Sequence, residues 1–417
     1  MSKHKIAKKM FIKEYILPIF IFALIYINIA FNIFRLPDYA RFWDEGLTIL
    51  IAALVLIITP RNLYSKIKIP LLLLGLMVII GLCGNATYGY TTAFSFIARD
   101  IVVFLKFPLT FLLLSTLVKK DIFSMNSKRI LLFLLELAVV IIALFGIINL
   151  FFKIDTMLQD EVRFGIRPYQ FLFAHPSGLV LAAVLSICLI DSIDKNKRRR
   201  IIFDCLCLLI IVLTMRTKGF VFVALYLVVN FIYKYFYKYR KVLFIIIPVV
   251  AIIASAYKII EYSTYDTTPR GSLYKGAIAL AADDFPFGSG FASFGSDLSV
   301  RADSKVYNQI DISFYYHNDV LVQNIYDDAG LAFYLGEFGF IGFMCFLIIL
   351  IMISRIALRG VDGKINGKEL VPILVLMLYL IIAVPAEAVF TNNGLEIAIV
   401  LFALMRLRNN KKAEMIR

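Results

Sequence analysis

Long apolar segments alternate with short polar segments along the whole chain. Several of the apolar segments exceed the roughly 18 residues that mark a candidate transmembrane helix. The pattern predicts twelve helical spans, an even number that leaves both termini on the same side of the membrane. The predicted spans are 15–34, 46–60, 70–84, 96–117, 130–152, 171–191, 201–215, 219–233, 242–260, 331–354, 370–387 and 394–406.

The composition agrees with this pattern. Of the 417 residues, 61% are hydrophobic and 18% are charged, and the mean hydropathy is +0.85. Soluble domains are closer to half apolar and a quarter charged, so a soluble enzyme, a secreted disulfide scaffold and a nucleic-acid-binding domain are excluded. The five cysteines all lie inside apolar segments, where neither a disulfide framework nor a CxxC site is indicated. The predicted fold is an all-α polytopic membrane protein in which residues 1–417 form a single integral membrane domain.

The net charge is +15, and the distribution of the basic residues indicates how the chain is oriented in the membrane. Thirty of the 44 Lys and Arg residues lie in seven clusters, which flank the predicted spans at every second loop. This is the positive-inside pattern, and it predicts that the clusters and both termini are cytoplasmic. The basic residues are therefore expected to contact anionic membrane lipids, and a nucleic-acid partner is not indicated. The clusters are 3–13, 61–68, 119–129, 195–200, 234–241, 355–368 and 406–417.

Two predicted extracytoplasmic loops, 153–170 and 258–330, are long enough to hold a site. The second is polar, rich in turn residues and far longer than a plain connection, and loops of that length are usually functional. Within it, Leu273, Ala277 and Leu280 recur at helical spacing. This spacing predicts a short amphipathic helix that lies on the membrane surface.

Two cations lie at an unusual membrane depth. The spans 201–215 and 219–233 have about 15 residues each, or roughly 22 Å of helix against a hydrocarbon layer of about 30 Å. The turn between them carries Arg216 and Lys218 and is therefore predicted to lie below the outer membrane surface. Two interpretations are open: the cations line a water-filled or anion-binding cavity, or both side chains extend to the lipid headgroups.

Other candidate residues lie in the smaller outer loop. Arg163 and Arg167 precede the sixth predicted span. A guanidinium group matches the oxygens of a phosphate, although arginines at a membrane edge also anchor to headgroups. His175 follows at the start of the apolar segment, where it either joins these cations or satisfies a buried carbonyl.

His317 lies near the end of the long loop, between Tyr316 and Asn318. An imidazole has the ordinary pKa needed to accept a proton from a sugar hydroxyl near neutral pH. The aromatic residues of this loop offer apolar faces for sugar rings. No nucleotide-binding, zinc-protease or Cys/His metal motif occurs, and the pair Asp283 and Asp284 is more typical of a solvated turn than of a metal site. Neither a cofactor nor a metal is therefore predicted.

Five groups of residues occur in order between Arg167 and Gly342. They are Arg167 and Gly178 with ten residues between them, Thr214-Met215-Arg216-Thr217-Lys218-Gly219, the segment from Arg270 to Ala277, the segment from Pro286 to Gly295, and His317-Asn318-x-x-Leu321 followed by Gly336 to Gly342. This set resembles the bacterial polysaccharide polymerases of the Wzy type, in the superfamily shared with the O-antigen ligases. There are two departures: Met215 replaces the usual Ser before Arg216, and Ala281 stands where a second R-x10-G pattern would need Gly.

The resemblance implies a GT-C-like glycosyltransferase of the bacterial inner membrane, whose long outer loop carries short helices. It would transfer the growing glycan from undecaprenyl pyrophosphate to a hydroxyl of the next lipid-linked repeat unit, on the periplasmic face, by an inverting and metal-independent reaction. Arg216 and Arg270 would stabilise the pyrophosphate leaving group, and His317 would act on the acceptor hydroxyl. The other substrate contacts would come from Arg163, Arg167, His175, Lys218, Tyr316 and Asn318. A polysaccharide chain-length regulator is a further candidate partner.

Two other functions are open. An O-antigen ligase would use the same donor and transfer the glycan to lipid A core. A non-enzymatic flippase for the same lipid-linked oligosaccharide would carry charges along several bundle-facing spans. The clearest mid-span charges in the sequence are few, Lys106 and Glu136, and this favours chemistry at one face of the membrane over translocation.

Overall fold

The computed structural model describes residues 12–35, 42–59, 64, 67–117, 123–235, 260, 269–310, 316–317, 320–321, 329–359 and 370–415. These residues are mostly helical. The helices are α1 (Leu17–Phe34), α2 (Trp43–Ile58), α3 (Lys68–Tyr88), α4 (Phe94–Ser115), α5 (Met125–Phe152), α6 (Pro176–Ile193), α7 (Lys197–Leu213), α8 (Thr217–Tyr235), α9 (Pro269–Asp283), α10 (Asp297–Arg301), α11 (Val306–Gln309), α12 (Gly330–Arg359), α13 (Val371–Ala383), α14 (Val389–Asn392) and α15 (Gly394–Met415). Two strands of two residues each, β1 (Tyr316–His317) and β2 (Val320–Leu321), pair in antiparallel fashion.

Helices occupy eleven of the twelve segments that the hydrophobic pattern predicts as spans. The twelfth, 242–260, lies outside the described residues except for its last position. Within the described part of the chain, five helices are long and apolar enough to cross a membrane. They are Glu14–Phe34, Lys68–Tyr88, Met125–Phe152, Pro176–Ile193 and Gly330–Leu358. The chain is therefore an all-α membrane protein, as predicted, whereas the total of twelve spans remains a prediction.

The two ends of α6 mark two opposite faces of the helical bundle. This helix has 18 residues, or about 27 Å at 1.5 Å per residue, which is close to the thickness of the hydrocarbon layer. Its N-terminus follows the loop 153–175, and its C-terminus precedes the basic segment 195–200. We call the first of these the loop face and the second the basic face.

A glycine-rich segment, 286–295, packs closely against α3 and α12. Gly288 and Gly290 have φ of 75° and 88°, values that favour glycine. A Cβ atom on Gly288 would lie 2.3 Å from the backbone nitrogen of Gly339, where α12 is itself non-helical. Because α12 breaks there, the carbonyl of Glu337 accepts a hydrogen bond from Gly290 N–H at 3.0 Å instead of continuing the helical ladder. The glycine-rich segment can therefore pack this closely because α12 breaks at Gly339, and it supplies a hydrogen-bond donor to a carbonyl at the break.

Side chains from three helices anchor the same segment. Asn85 in α3 accepts a hydrogen bond from Phe291 N–H at 2.8 Å and donates one to the Phe291 carbonyl at 2.9 Å. Asp100 in α4 accepts from Ala292 N–H at 2.8 Å, and Glu337 in α12 accepts from the following N–H at 3.1 Å. The two buried carboxyl groups also hydrogen-bond to each other. The glycine-rich motif thus ties the long loop to the bundle.

Helix α9 forms where the spacing of Leu273, Ala277 and Leu280 predicts a helix, but its predicted location is wrong. All three side chains are at most 3% exposed, in a small apolar core that includes Phe294 and Val306. The helix packs on α12. Its apolar face is therefore covered by protein and is not available to the membrane surface.

A buried ionic network joins α2, α4 and α14. Lys106 in α4 donates to Asp44 at 2.5 Å and to the carbonyl of Thr391 at 2.9 Å, and its Nζ lies 3.8 Å from Glu45. Arg99, two helical turns before Lys106 in α4, approaches Glu45, also at 3.8 Å. The sequence had identified Lys106 alone, because Asp44 and Glu45 lie at the edge of an apolar segment, where acids are ordinarily solvated.

Replacement of Lys106 by methionine is expected to destabilise the protein by about 3–5 kcal/mol, because Asp44 and the Thr391 carbonyl would be left buried without a cation. Thermal unfolding of the purified protein in detergent measures the effect. The double variant Lys106→Met/Asp44→Asn should recover part of the loss, since it removes the uncompensated charge as well. Equal melting temperatures for wild type and Lys106→Met would contradict this role.

Candidate functional site

The turn between α7 and α8 places two cations inside the protein at the loop face. Met215 has a positive φ of 50°, and Gly219 and Phe220 donate backbone hydrogen bonds to the Arg216 carbonyl at 2.8 and 3.1 Å. This folds the chain back so that α8 begins at once, at Thr217. Arg216 is 8% exposed and Lys218 is 9% exposed. Two cations at such burial need anionic or strongly polar neighbours.

The loop 153–175 covers this turn and supplies the neighbours of Arg216. Tyr169 N–H donates to the carbonyl of Leu213 at 3.0 Å, which fixes the loop against the end of α7. Arg216 Nη2 donates to Gln159 Oε1 at 2.7 Å and lies 2.5 Å from His175 Nε2. The guanidinium group is therefore held between the loop and the N-terminus of α6.

Lys218 pairs with Glu387, which lies between α13 and α14. The Lys218 ammonium also lies 5.9 Å from the centre of the Tyr379 ring. This carboxylate balances the charge of one of the two buried cations and anchors Lys218 against the segment between α13 and α14.

Arg270 reaches the same region from the long loop. It lies in the first turn of α9, and Tyr274, one turn later, donates to the carbonyl of Pro385 at 2.8 Å. This contact brings the start of α9 next to Glu387. The charge of Arg270 acts on Lys218, as does that of Arg216. Arg270, from a distant part of the sequence, thus joins Arg216 and Lys218, which the sequence had singled out as a pair.

His175 faces hydrogen-bond donors on both of its ring nitrogens. Ser177 N–H donates to Nδ1 at 3.2 Å, and His175 is the N-cap of α6. A neutral imidazole has one acceptor nitrogen and one N–H, and an arginine has donors only. The neutral ring can therefore accept from only one of its two neighbours, Ser177 N–H or Arg216 Nη2.

The site suits an anionic oxygen that lies beside these two groups, since their 2.5 Å contact leaves no room between them. Such an oxygen would accept from Arg216 and, in the tautomer with the proton on Nε2, from His175 as well. The charges of Lys218, Glu387 and Arg163 also act on His175, so the oxygen would lie among several cations and one carboxylate. Donors and cations of this kind suit a phosphate or carboxylate oxygen.

The two arginines of the loop 153–175, Arg163 and Arg167, make different contacts from Arg216. Arg167 donates to Asp155 at 2.5 Å, to Asp160 at 3.0 Å and to the carbonyl of Gln159 at 3.1 Å. These contacts fix the position of Gln159, whose side chain accepts a hydrogen bond from Arg216. Arg163 is partly exposed and pairs with Glu161 at 3.0 Å. Of these two predicted substrate contacts, Arg167 supports the loop and Arg163 lies at its rim.

The remaining predicted site residues are only partly described. Tyr316 and His317 form β1, with His317 opposite Val320 in the register of the pair. The structure describes the backbone of these two residues and not their side chains. Asn318 lies outside the described residues. The roles of His317, Tyr316 and Asn318 therefore remain predictions from the sequence.

Sequence reasoning missed Gln159 and Glu387. Gln159 gives no signal, because a single amide in a polar loop is ordinary. Glu387 does give one: it is an acid between two apolar segments, on the same predicted side as Lys218. Within the described residues no group of three or more His, Cys, Asp or Glu side chains is arranged to hold a metal ion. What the described site offers is convergent positive charge for an anion.

The comparisons with protein-family models, with curated proteins and with solved structures give no match.

Proposed function

We propose that this protein is a polysaccharide polymerase that transfers a glycan from undecaprenyl pyrophosphate to a hydroxyl of the next lipid-linked repeat unit. In this proposal the chain has twelve spans and a GT-C-like architecture and lies in the inner membrane of a bacterium. Both termini are cytoplasmic, and the loop face is periplasmic. The proposal rests on the resemblance carried by the motifs between Arg167 and Gly342 and on the cation site at the loop face.

The single observation that carries the proposal is the burial of Arg216 and Lys218 together at the loop face, in the turn between α7 and α8. The leaving group of the reaction is a lipid pyrophosphate, and two buried cations suit its negative charge. A low-dielectric site with preorganised donors stabilises the developing negative charge on the leaving oxygen.

The roles of the residues follow from their contacts. Arg216 and His175 would hold one oxygen of the pyrophosphate, and Arg270 would approach from α9. Lys218, already paired with Glu387, would add positive electrostatic potential to the site and hold the turn in place. His317 would orient or deprotonate the acceptor hydroxyl, as the resemblance implies. The bond energy of the lipid pyrophosphate drives the transfer.

Replacement of His175 tests its contact with Arg216. His175→Gln keeps a side chain that can both donate and accept, so it should retain more activity than His175→Ala, which we expect to slow extension about tenfold or more. The measurement is chain extension in vitro on lipid-linked repeat units. Wild-type rates from His175→Ala would contradict a role of His175 at the site.

Deletion of the gene from its host tests the function itself. A polymerase deletion leaves single repeat units on their acceptor while long chains vanish, as read from the length distribution of the surface glycan. Loss of all glycan from lipid A core, with long chains still assembled on the lipid carrier, would identify a ligase and contradict the proposal.

The buried charges of the bundle favour a second candidate, a flippase for the same lipid. Beyond Lys106 and Glu136, the described helices bury Asp100, Glu337 and Glu396, so charges are spread over more spans than the sequence indicated. Several of these have structural partners, such as Glu136, which accepts from Arg199 at 2.6 Å. Vesicles containing the purified protein and a lipid-linked oligosaccharide separate the two functions: a flippase moves the glycan across the membrane without lengthening it.

A further inference from the structure

A cavity of about 150 Å³ opens at the basic face, at the end of α6 opposite the candidate site. It is bounded by the first two turns of α5, the last turn of α6 and the segment that follows it, and α15. Since α6 is about 27 Å long, this cavity and the site at His175 lie at the two opposite headgroup levels of the membrane. It cannot belong to the site at the loop face.

The lining of the cavity combines cations with apolar side chains. The cations are Lys128, Arg129 and Lys195. The apolar part includes Met125, Leu132 and Leu407. A phosphate held by the cations would therefore have hydrocarbon surface directly beside it.

The lining has one acid, Asp194. One of its oxygens accepts from Asn196 N–H at 2.8 Å, and the other, which has no hydrogen-bond partner, lies 3.8 Å from Arg199 Nε. The carboxylate is only 7% exposed. With three cations and one buried acid, the lining has a net positive charge.

The helix face below Arg129 is apolar and uncovered. Phe133 and Leu137 follow Arg129 at intervals of four residues, which places all three on one face of α5. Phe133 is 61% exposed and Leu137 is 46% exposed. In a membrane-spanning helix this stripe contacts lipid chains, and it runs from the rim of the cavity towards the middle of the membrane.

We propose that this cavity binds the phosphate headgroup of an anionic phospholipid, whose acyl chain lies along the stripe Arg129–Phe133–Leu137. A cationic pocket between helices at headgroup depth is the arrangement that recognises acidic lipids. A free phosphate would use the cations alone, whereas a phospholipid also covers the apolar wall and the stripe. By the positive-inside pattern, the lipid would belong to the cytoplasmic leaflet.

The test uses the purified full-length protein in detergent with three probes: phosphatidylglycerol, phosphatidylcholine with the same chains, and inorganic phosphate. Native mass spectrometry counts bound lipid, and thermal unfolding reports stabilisation. Phosphatidylglycerol should bind and raise the melting temperature, and the other two probes should do so far less. In the variant Arg129→Gln/Lys195→Gln we expect the affinity for phosphatidylglycerol to fall about tenfold or more, because each basic residue contributes separately.

The matched control is Lys197→Gln/Arg198→Gln, which removes the same charge from exposed positions of the basic face that do not line the cavity. It should bind phosphatidylglycerol like the wild type. Equal losses in both variants would show a diffuse charge effect and overturn the site. Equal stabilisation by inorganic phosphate would show a simple anion site, and equal binding of phosphatidylcholine would remove the selectivity. These readouts do not depend on polysaccharide synthesis, so they stand apart from the proposed function.

Discussion

Replacement of Arg216 by alanine is expected to abolish glycan chain extension while the protein still inserts into the membrane. Arg216 donates to Gln159 and faces His175 at 2.5 Å, so alanine removes the donor that would meet the pyrophosphate oxygen. Loss of one such preorganised donor costs on the order of 10²- to 10³-fold in rate. The length distribution of the glycan made by a deletion strain that carries the variant gene measures the effect.

Arg216→Lys discriminates between charge and geometry. A lysine keeps the positive charge but lacks the planar fork that reaches Gln159 and a phosphate oxygen together, so we expect most of the activity to be lost here too. The control is Arg198→Ala, an exposed arginine of the basic face, which should leave chain length unchanged. Chains of full length from Arg216→Ala, at normal protein abundance, would rule out the proposed anion site.

Replacement of Gly288 by alanine should prevent normal folding. The added Cβ would lie 2.3 Å from the backbone nitrogen of Gly339, and backbone atoms on both sides cannot move aside as a side chain can. Overpacking of this kind costs about 1–3 kcal/mol, and the φ of 75° adds about 1 kcal/mol. We expect a total of about 2–4 kcal/mol, which is a large share of the stability of a folded protein. Membrane abundance and the apparent melting temperature in detergent are the measurements.

Gly89→Ala provides the control for backbone strain alone. Gly89 has a φ of 63°, similar to that of Gly288, but no atom lies within 4 Å of the position its Cβ would take. The variant should therefore lose only about 1 kcal/mol. If both variants melt at the same temperature, the close packing of the glycine-rich segment against α12 is not what makes Gly288 necessary.

The prediction of individual helices from the sequence succeeded because hydrophobic segments and their polar ends are local signals. Helices occupy eleven predicted segments, and α9 forms at the spacing of Leu273, Ala277 and Leu280. The location of α9 was wrong because an apolar stripe does not say whether lipid or protein covers it. Here α12 and the end of the glycine-rich segment cover it.

The candidate site was predicted in part, for a similar reason. The sequence singled out Arg216 and Lys218 because they interrupt an apolar stretch, and both are buried. The helices on either side have 17 and 19 residues, longer than the 15 predicted, so the depth of these cations in the membrane remains a prediction. The role of Arg167 in supporting the loop could not be foreseen, since its partners Asp155 and Asp160 are ordinary loop acids until the loop folds. Arginines that hold a loop together and arginines that face a substrate look alike in a sequence.

The sequence by itself determined the all-α membrane character, the positions of most helices and the predicted orientation. All of these depend on the order of apolar and charged residues within one segment. Only the tertiary structure decided which distant groups meet: His175 with Arg216, Lys218 with Glu387, and Asp100 with the glycine-rich segment. These contacts join residues between 41 and 192 positions apart in the chain, and they are fixed by how the helices pack against one another.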